Sequence, residues 1–234
     1  PVTLTRENDS IKPTGEDYYY TTEIGEEAVT YIEQYGNQRK PFFLYTSFTA
    51  PHWPLHAPEE AVQKYKGRYD RGWDVLRSER RQRMIERGLI DETWPLTARD
   101  EAVPAWEETT NKEWHARRME VYAAQVDLMD QTIGKIVDKV EQMGLSENTL
   151  ILFLADNGGC AEELTPASKG LHVPSHTRGG LPVRQGNDPT VMLGPEETYQ
   201  SYGVPWANAS NTPFRLYKHW VHEGGISSPL IAHW

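Results

Sequence analysis

The sequence predicts an α/β fold, with helices flanking a mostly parallel central sheet. Two observations carry this expectation. A helical pattern followed by a short apolar run occurs twice, over residues 22–36 then 42–48, and over 119–143 then 149–155. Alternating helix and strand is the grammar of α/β folds. The second run, Ile151-Leu152-Phe153-Leu154, is uninterrupted and then turns sharply polar at Asp156-Asn157-Gly158-Gly159. A short continuous apolar run reads as a strand buried on both faces, as in a parallel sheet. The carboxyl ends of such strands form the edge where ligands bind.

Composition narrows the function classes. A net charge of −10 over 234 residues argues against a nucleic-acid partner, because phosphates select basic surfaces. No apolar run has the length of a membrane span. Cys160 is the single cysteine, which excludes an internal disulfide framework and a zinc site built on cysteines.

In chain order, residues 1–20 are polar and loop-like. Thr22 reads as a helix N-cap, with Glu23, Glu26 and Glu27 placed near the positive end of the helix. Ile24, Ala28, Tyr31, Ile32 and Tyr35 recur at helical spacing, and Gly36 fits the stop. Phe42-Phe43-Leu44-Tyr45, rich in aromatic residues, predicts a buried strand running to about Phe48. Pro51, Pro54 and Pro58 then forbid regular structure and stiffen a loop carrying His52 and His56. A stiff loop at a strand end can hold a catalytic group in place; equally, its histidines can cap or pack. Trp73, Leu76, Arg80, Met84 and Arg87 predict an amphipathic helix ending near Gly88, followed by a surface excursion over 91–111. Met119, Tyr122, Val126, Met129, Ile133, Ile136, Val140 and Met143 alternate by three and four, a core-facing helical stripe closed by Gly144.

At the end of the 149–155 strand, Asp156 and Asn157 offer two hard oxygens suited to Ca²⁺ or Mg²⁺. Asp-Asn-Gly is also ordinary turn chemistry. Residues 158–210 show no periodicity and read as one long excursion. Lys169, His172, His176, Arg178 and Arg184 lie in it, either lining an anion pocket or solvated. Lys218 is a compact charge that can meet an oxyanion, or a surface lysine. Glu223-Gly224-Gly225 reads as a tight turn before a last strand from Pro229 to His233.

Three of these stretches together resemble the sulfatases, a branch of the alkaline-phosphatase-like superfamily. Ala50-Pro51-His52-Trp53-Pro54-Leu55 is similar to the family's Ala-Pro-His-x-Pro loop. Leu154-Ala155-Asp156-Asn157-Gly158-Gly159 resembles its metal-binding strand end, and Asn211-Thr212-Pro213-Phe214-Arg215 with Lys218 and Glu223-Gly224-Gly225 resembles its lysine segment. The resemblance implies an alkaline-phosphatase-like sheet, incomplete at both ends, with all of residues 1–234 inside the catalytic domain. It implies that Asp156 and Asn157 bind the divalent cation, usually Ca²⁺ in this family. It implies that His52 assists departure of the leaving alcohol and that Lys218 binds a sulfate oxygen. The implied substrate is an aryl or carbohydrate sulfate ester, and the implied location is periplasmic or extracellular. Oligomeric state is not implied.

The departures are as informative. The family nucleophile is a formylglycine made from a Cys/Ser-x-Pro-x-Arg motif, and Cys160 is followed by Ala161-Glu162-Glu163 instead. The paired N-terminal aspartates and the Gly-Lys-x-His segment are also missing. The chain is therefore expected to be an interior-to-C-terminal piece of a sulfatase, inactive alone. The alternatives are a phosphonate or phosphodiester hydrolase of the same superfamily, and a sulfatase-like binding protein without the nucleophile.

Overall fold

The computed structural model describes residues 4–13, 15, 17–38, 40–168 and 173–234. In chain order its elements are β1 (Leu4–Arg6), β2 (Asp9–Ile11), α1 (Tyr20–Tyr35), α2 (Glu59–Gln63), α3 (Gly72–Glu86), α4 (Lys112–Gln142), β3 (Ile151–Leu154), β4 (Arg184–Gln185), β5 (Thr198–Tyr199), α5 (Gly203–Ser210), α6 (Glu223–Ile226) and β6 (Leu230–His233).

The long helix α4 is the spine. Of its predicted stripe it buries Met119, Met129 and Val140, while Val126 is exposed and Val121 and Ala124 are buried in its place. Against it lies α1, which buries Thr21, Gly25, Ala28 and Ile32. Their closest approach requires glycine: a Cβ on Gly25 would lie 2.0 Å from Thr132 Cγ2. Helix α1 starts three residues earlier than the capping pattern suggests. Its N-cap is Tyr19, which is extended and makes no side-chain cap bond, while Thr22 sits in the first turn. Tyr19 instead donates through its hydroxyl to the His56 carbonyl at 3.0 Å, tying the helix start to the proline-rich loop.

The main core forms where α3, α4 and α5 meet. Trp73 packs edge-on against Trp106 at 4.7 Å and Trp206 at 5.4 Å between ring centroids. Each indole N–H has a partner: Trp73 donates to Pro104 O, Trp106 to Asp70 O and Trp206 to His115 O. Buried indoles need such acceptors.

The 158–210 segment is ordered over this core wherever it is described, which corrects the expectation of a structureless excursion. It contains α5 and the parallel pair β4–β5. Buried Arg118 explains much of that order. Its Nε donates to Ser201 O at 2.7 Å, and its Nη2 meets Glu163 Oε2 at 3.1 Å. Trp114 donates to Gln200 Oε1 at 3.1 Å from the same helix. Polar pinning of this kind leaves no periodicity to read.

The strands need three corrections. Residues 4–11 form an antiparallel hairpin, β1 with β2, not a loop, turning at Glu7 with φ 55. Residues 42–48 form no strand; no described strand pairs with them, and Phe43 is 90% exposed. A strand needs a ladder partner for its backbone groups. β3 is a strand, as expected, but pairs antiparallel with β6, and Leu152 and Leu154 are exposed rather than buried. The last strand does follow Pro229, and Glu223-Gly224-Gly225 is the first turn of α6.

Candidate active site

The loop after residue 49 is anchored by its backbone at Leu55 and Ala57 and by side chains at His52 and Trp53. Leu55 is buried, Leu55 N donates to Gln200 O at 3.0 Å, and Ala57 N donates to Gly194 O at 3.1 Å. His56 belongs to this anchor: its Nε2 is hydrogen-bonded to the Thr198 carbonyl. Burial pushes its pKa down. His52, by contrast, is exposed. Its Nδ1 lies 2.8 Å from Trp53 O. A carbonyl can only accept, so the proton sits on Nδ1 and Nε2 presents its lone pair.

Lys218 occupies that lone pair, with Nζ 3.1 Å from His52 Nε2 although 166 residues separate the two. The lysine loop is tied to the end of β3. Lys218 N donates to Gly159 O at 3.1 Å, and Gly158 N donates to Gly225 O at 3.0 Å. Asn211 completes the tie. Its Oδ1 accepts from Gly159 N at 2.8 Å, and its Nδ2 donates to Leu216 O and Gly224 O at 2.7 Å each. The approach is close enough that a Cβ on Gly158 would sit 1.7 Å from Gly224 O. Leu216 and His219 flank the lysine with φ of 65° and 80°. Non-glycine residues hold such left-handed backbone at a cost, and only where the surroundings enforce it.

Asp156 and Asn157 stand at the carboxyl end of β3, in a cleft of about 1210 Å³ that His52, Cys160 and Asn211 also line. Asp156 is exposed and makes no ion pair among the described residues. Asn157 donates through Nδ2 to Gly158 O at 2.9 Å, leaving Oδ1 as an acceptor. An unpaired carboxylate beside an amide oxygen suits a hard cation, though two oxygens fall short of the six to eight that Ca²⁺ takes.

Sequence reasoning missed Glu162 and Asn211. Glu162 accepts from Trp53 Nε1 at 2.7 Å, from Cys160 Sγ at 3.3 Å and from His219 Nε2 at 2.9 Å, and lies 3.7 Å from Lys218 Nζ. Partial burial pushes its carboxyl up. The hydrogen bonds from His219, Cys160 and Trp53, with the Lys218 charge, outweigh that and hold it down at about 2. One ionised carboxylate thus touches all three segments that carry the sequence-predicted residues. No local pattern announces it, because its partners are remote in sequence.

Of the described basic residues of the 158–210 segment, Arg178 lines the same cleft as His52 and Asp156, whereas Arg184 and His176 do not. Arg178 lies 5.1 Å over the Tyr18 ring and within 4.0 Å of Glu196, Arg184 pairs with Glu197 at 3.9 Å, and His176 bonds Ser175. Lys169 and His172 lie outside the described residues.

Comparison with known proteins identifies the family. The family model described as Sulfatase matches residues 3–234. An uncharacterized sulfatase of Schizosaccharomyces pombe is 36% identical over 99% of this chain and 41% of its own length. The arylsulfatase of Klebsiella aerogenes is 31% identical over 92% of this chain and 45% of its own length. The chain therefore spans less than half the length of these curated relatives. Among solved structures, Ps i-CgsB alone and in complex with k-i-k-neocarrahexaose match 99% of this chain and 31% of theirs, at a TM-score of 0.54 and 20–21% identity. That likeness bears out the α/β, alkaline-phosphatase-like fold.

Proposed function

The chain belongs to the sulfatase family, and from that premise we propose that it carries the metal-binding and leaving-group side of a sulfuric ester hydrolase site. The observation that carries this reading is the Lys218–His52 contact, 3.1 Å between Nζ and Nε2. A sulfate ester is negatively charged, and more charge develops on the leaving oxygen as its S–O bond breaks. An ammonium held in place stabilises charge where it appears. Lys218 therefore binds a sulfate oxygen. When it turns to the ester it releases the His52 Nε2 lone pair, which takes up a proton from solvent and passes it to the leaving alcohol. The Trp53 carbonyl keeps the imidazole oriented through Nδ1–H.

Asp156 and Asn157 would hold the divalent cation, Ca²⁺ or Mg²⁺, together with ligands from outside these residues. When bound, the cation would supply Lewis-acid polarisation of the sulfuryl oxygens. The nucleophile, which we take to be a formylglycine, also comes from outside these 234 residues, since Cys/Ser-x-Pro-x-Arg does not occur among them. An aryl sulfate is the test substrate, and a sulfated carbohydrate is an equally fitting natural one.

The test compares matched aryl sulfate and aryl phosphate esters with the complete protein carrying this chain. The expected result is a clear sulfate preference that is lost with chelation of the metal, and no turnover by residues 1–234 alone. Preferential phosphate hydrolysis would overturn the sulfatase reading. Saturable hydrolysis by the isolated chain would overturn the placement of the nucleophile.

A further inference from the structure

We propose that His52, Cys160 and Glu162 form a second cation site, distinct from the Asp156–Asn157 oxygens, that takes a thiophilic divalent ion such as Zn²⁺. A single cysteine excludes a zinc site built on cysteines, but the fold gathers the other donors from imidazole and carboxylate. One ligand atom from each of the three residues lies within 4.8 Å of the others. The Cys160 Sγ to Glu162 Oε2 distance is already 3.3 Å. Zinc bond lengths of about 2.0–2.3 Å set tetrahedral ligands roughly 3.5 Å apart, so closure needs shifts of about an ångström.

Three features prepare the site. His52 has its proton on Nδ1, fixed by Trp53 O at 2.8 Å, which leaves the Nε2 lone pair, now held by Lys218, as the coordinating atom. Metal-bound histidines are commonly oriented by such a carbonyl. Glu162 offers Oε2 to the site while His219 holds its Oε1 at 2.9 Å, the support that ligating carboxylates require. A cation is also already there: the Lys218 ammonium sits 3.1 Å from His52 Nε2 and 3.7 Å from Glu162 Oε1. Zinc would take its place. The Cys160 thiol proton leaves to solvent, sulfur binds the metal as thiolate, and Lys218 swings out while a water fills the fourth position. Mixed thiolate and imidazole donors favour Zn²⁺ over Ca²⁺.

The inference stands on these residues alone and does not require the hydrolase assignment. If that assignment holds, zinc here also removes both groups proposed to meet the ester, and so inhibits. The experiment titrates the purified chain with Co²⁺ as the spectroscopic probe, then displaces it with Zn²⁺. Alkylation of Cys160, the one cysteine, is followed in parallel. The expected result is an intense four-coordinate Co²⁺ spectrum with a thiolate charge-transfer band. One equivalent of Zn²⁺ should abolish it, and excess Ca²⁺ should not. Zn²⁺ should slow alkylation at least tenfold. Cys160→Ser should abolish the charge-transfer band, and His219→Ala should weaken binding about 10- to 100-fold, as loss of an outer-shell partner does. A weak octahedral Co²⁺ spectrum with wild-type chain, or alkylation unaffected by Zn²⁺, would overturn the proposal without any variant.

Discussion

Asn211 fixes the distance between the end of β3 and the lysine loop with one donated pair and one accepted hydrogen bond. Asn211→Ala leaves Gly159 N–H, Leu216 O and Gly224 O without their partner. An orphaned, partly buried polar group costs about 1–3 kcal/mol. We expect the variant to lose about 2 kcal/mol of stability in urea unfolding, with turnover falling because Lys218 and Asp156 are no longer held in register. A variant as stable as wild type would show that the backbone bonds alone hold the loop. At this scale, legibility followed sequence distance. Asp156 and Asn157 could be picked out because a strand end and its polar turn are adjacent. His52 could be singled out by its prolines. Glu162 could not, since its bond to Trp53 spans 109 residues, and Asn211 reaches Gly159 across 52.

Helix α5 supports the site from below by seating Trp206 in the aromatic core and delivering Asn211 at its C-cap. Trp206 is fully buried and donates to His115 O at 2.8 Å. Truncating a buried Trp typically costs about 3–5 kcal/mol. Trp206→Ala is accordingly expected to lower stability by that amount and to loosen the 158–210 segment, which limited proteolysis would reveal as new cleavage there. A smaller loss, with no new cleavage, would mean that the segment is held independently of the core. Glu163→Gln probes the segment's other anchor, the pairing with Arg118, whose side chain is 1% exposed. Removing one partner of a buried charge leaves the other uncompensated. Because Glu163 itself is half exposed, about 2 kcal/mol is expected from chemical unfolding. Helix α5 escaped sequence reading because Gly203-Val204-Pro205-Trp206-Ala207-Asn208-Ala209-Ser210 is buried nearly all round, which erases the 3.6-residue period. Helices α1, α3 and α4 each keep a wet face, and their periodicity survived.

Across the whole molecule, the core carries a pH dependence through His115. Burial, followed by the Arg118 charge, pushes its pKa down from 6.5 to about 4. Its ring packs at 5.3 Å from Trp73 and 4.9 Å from Trp114. The folded state therefore resists a proton that the unfolded chain accepts. Its contribution is complete above pH 6.5 and is lost as the pH falls toward 4, up to about 3 kcal/mol. His115→Phe should flatten the urea midpoint between those values, because the buried Nδ1 has no partner to lose. An unchanged slope would assign the acid loss to other groups. The α/β class was legible from alternating helical and apolar periods, but strand pairing was not. Residues 42–48 have the composition of a strand and no described pairing partner, and β3 has one, on one edge only. Apolar content marks a strand; only a partner backbone makes one.

The central claim is that Lys218 and His52, 3.1 Å apart, act together on a sulfate ester. The most direct measurement is steady-state aryl sulfate hydrolysis by the complete protein with Lys218→Ala, His52→Ala and both. Loss of one oxyanion donor commonly costs about 100- to 1000-fold in kcat. Groups that act as a unit are strongly non-additive. We predict a loss of that size for each single variant, and a double variant little worse than either. Near-normal turnover in either single variant, or losses that multiply in the double, would contradict the account.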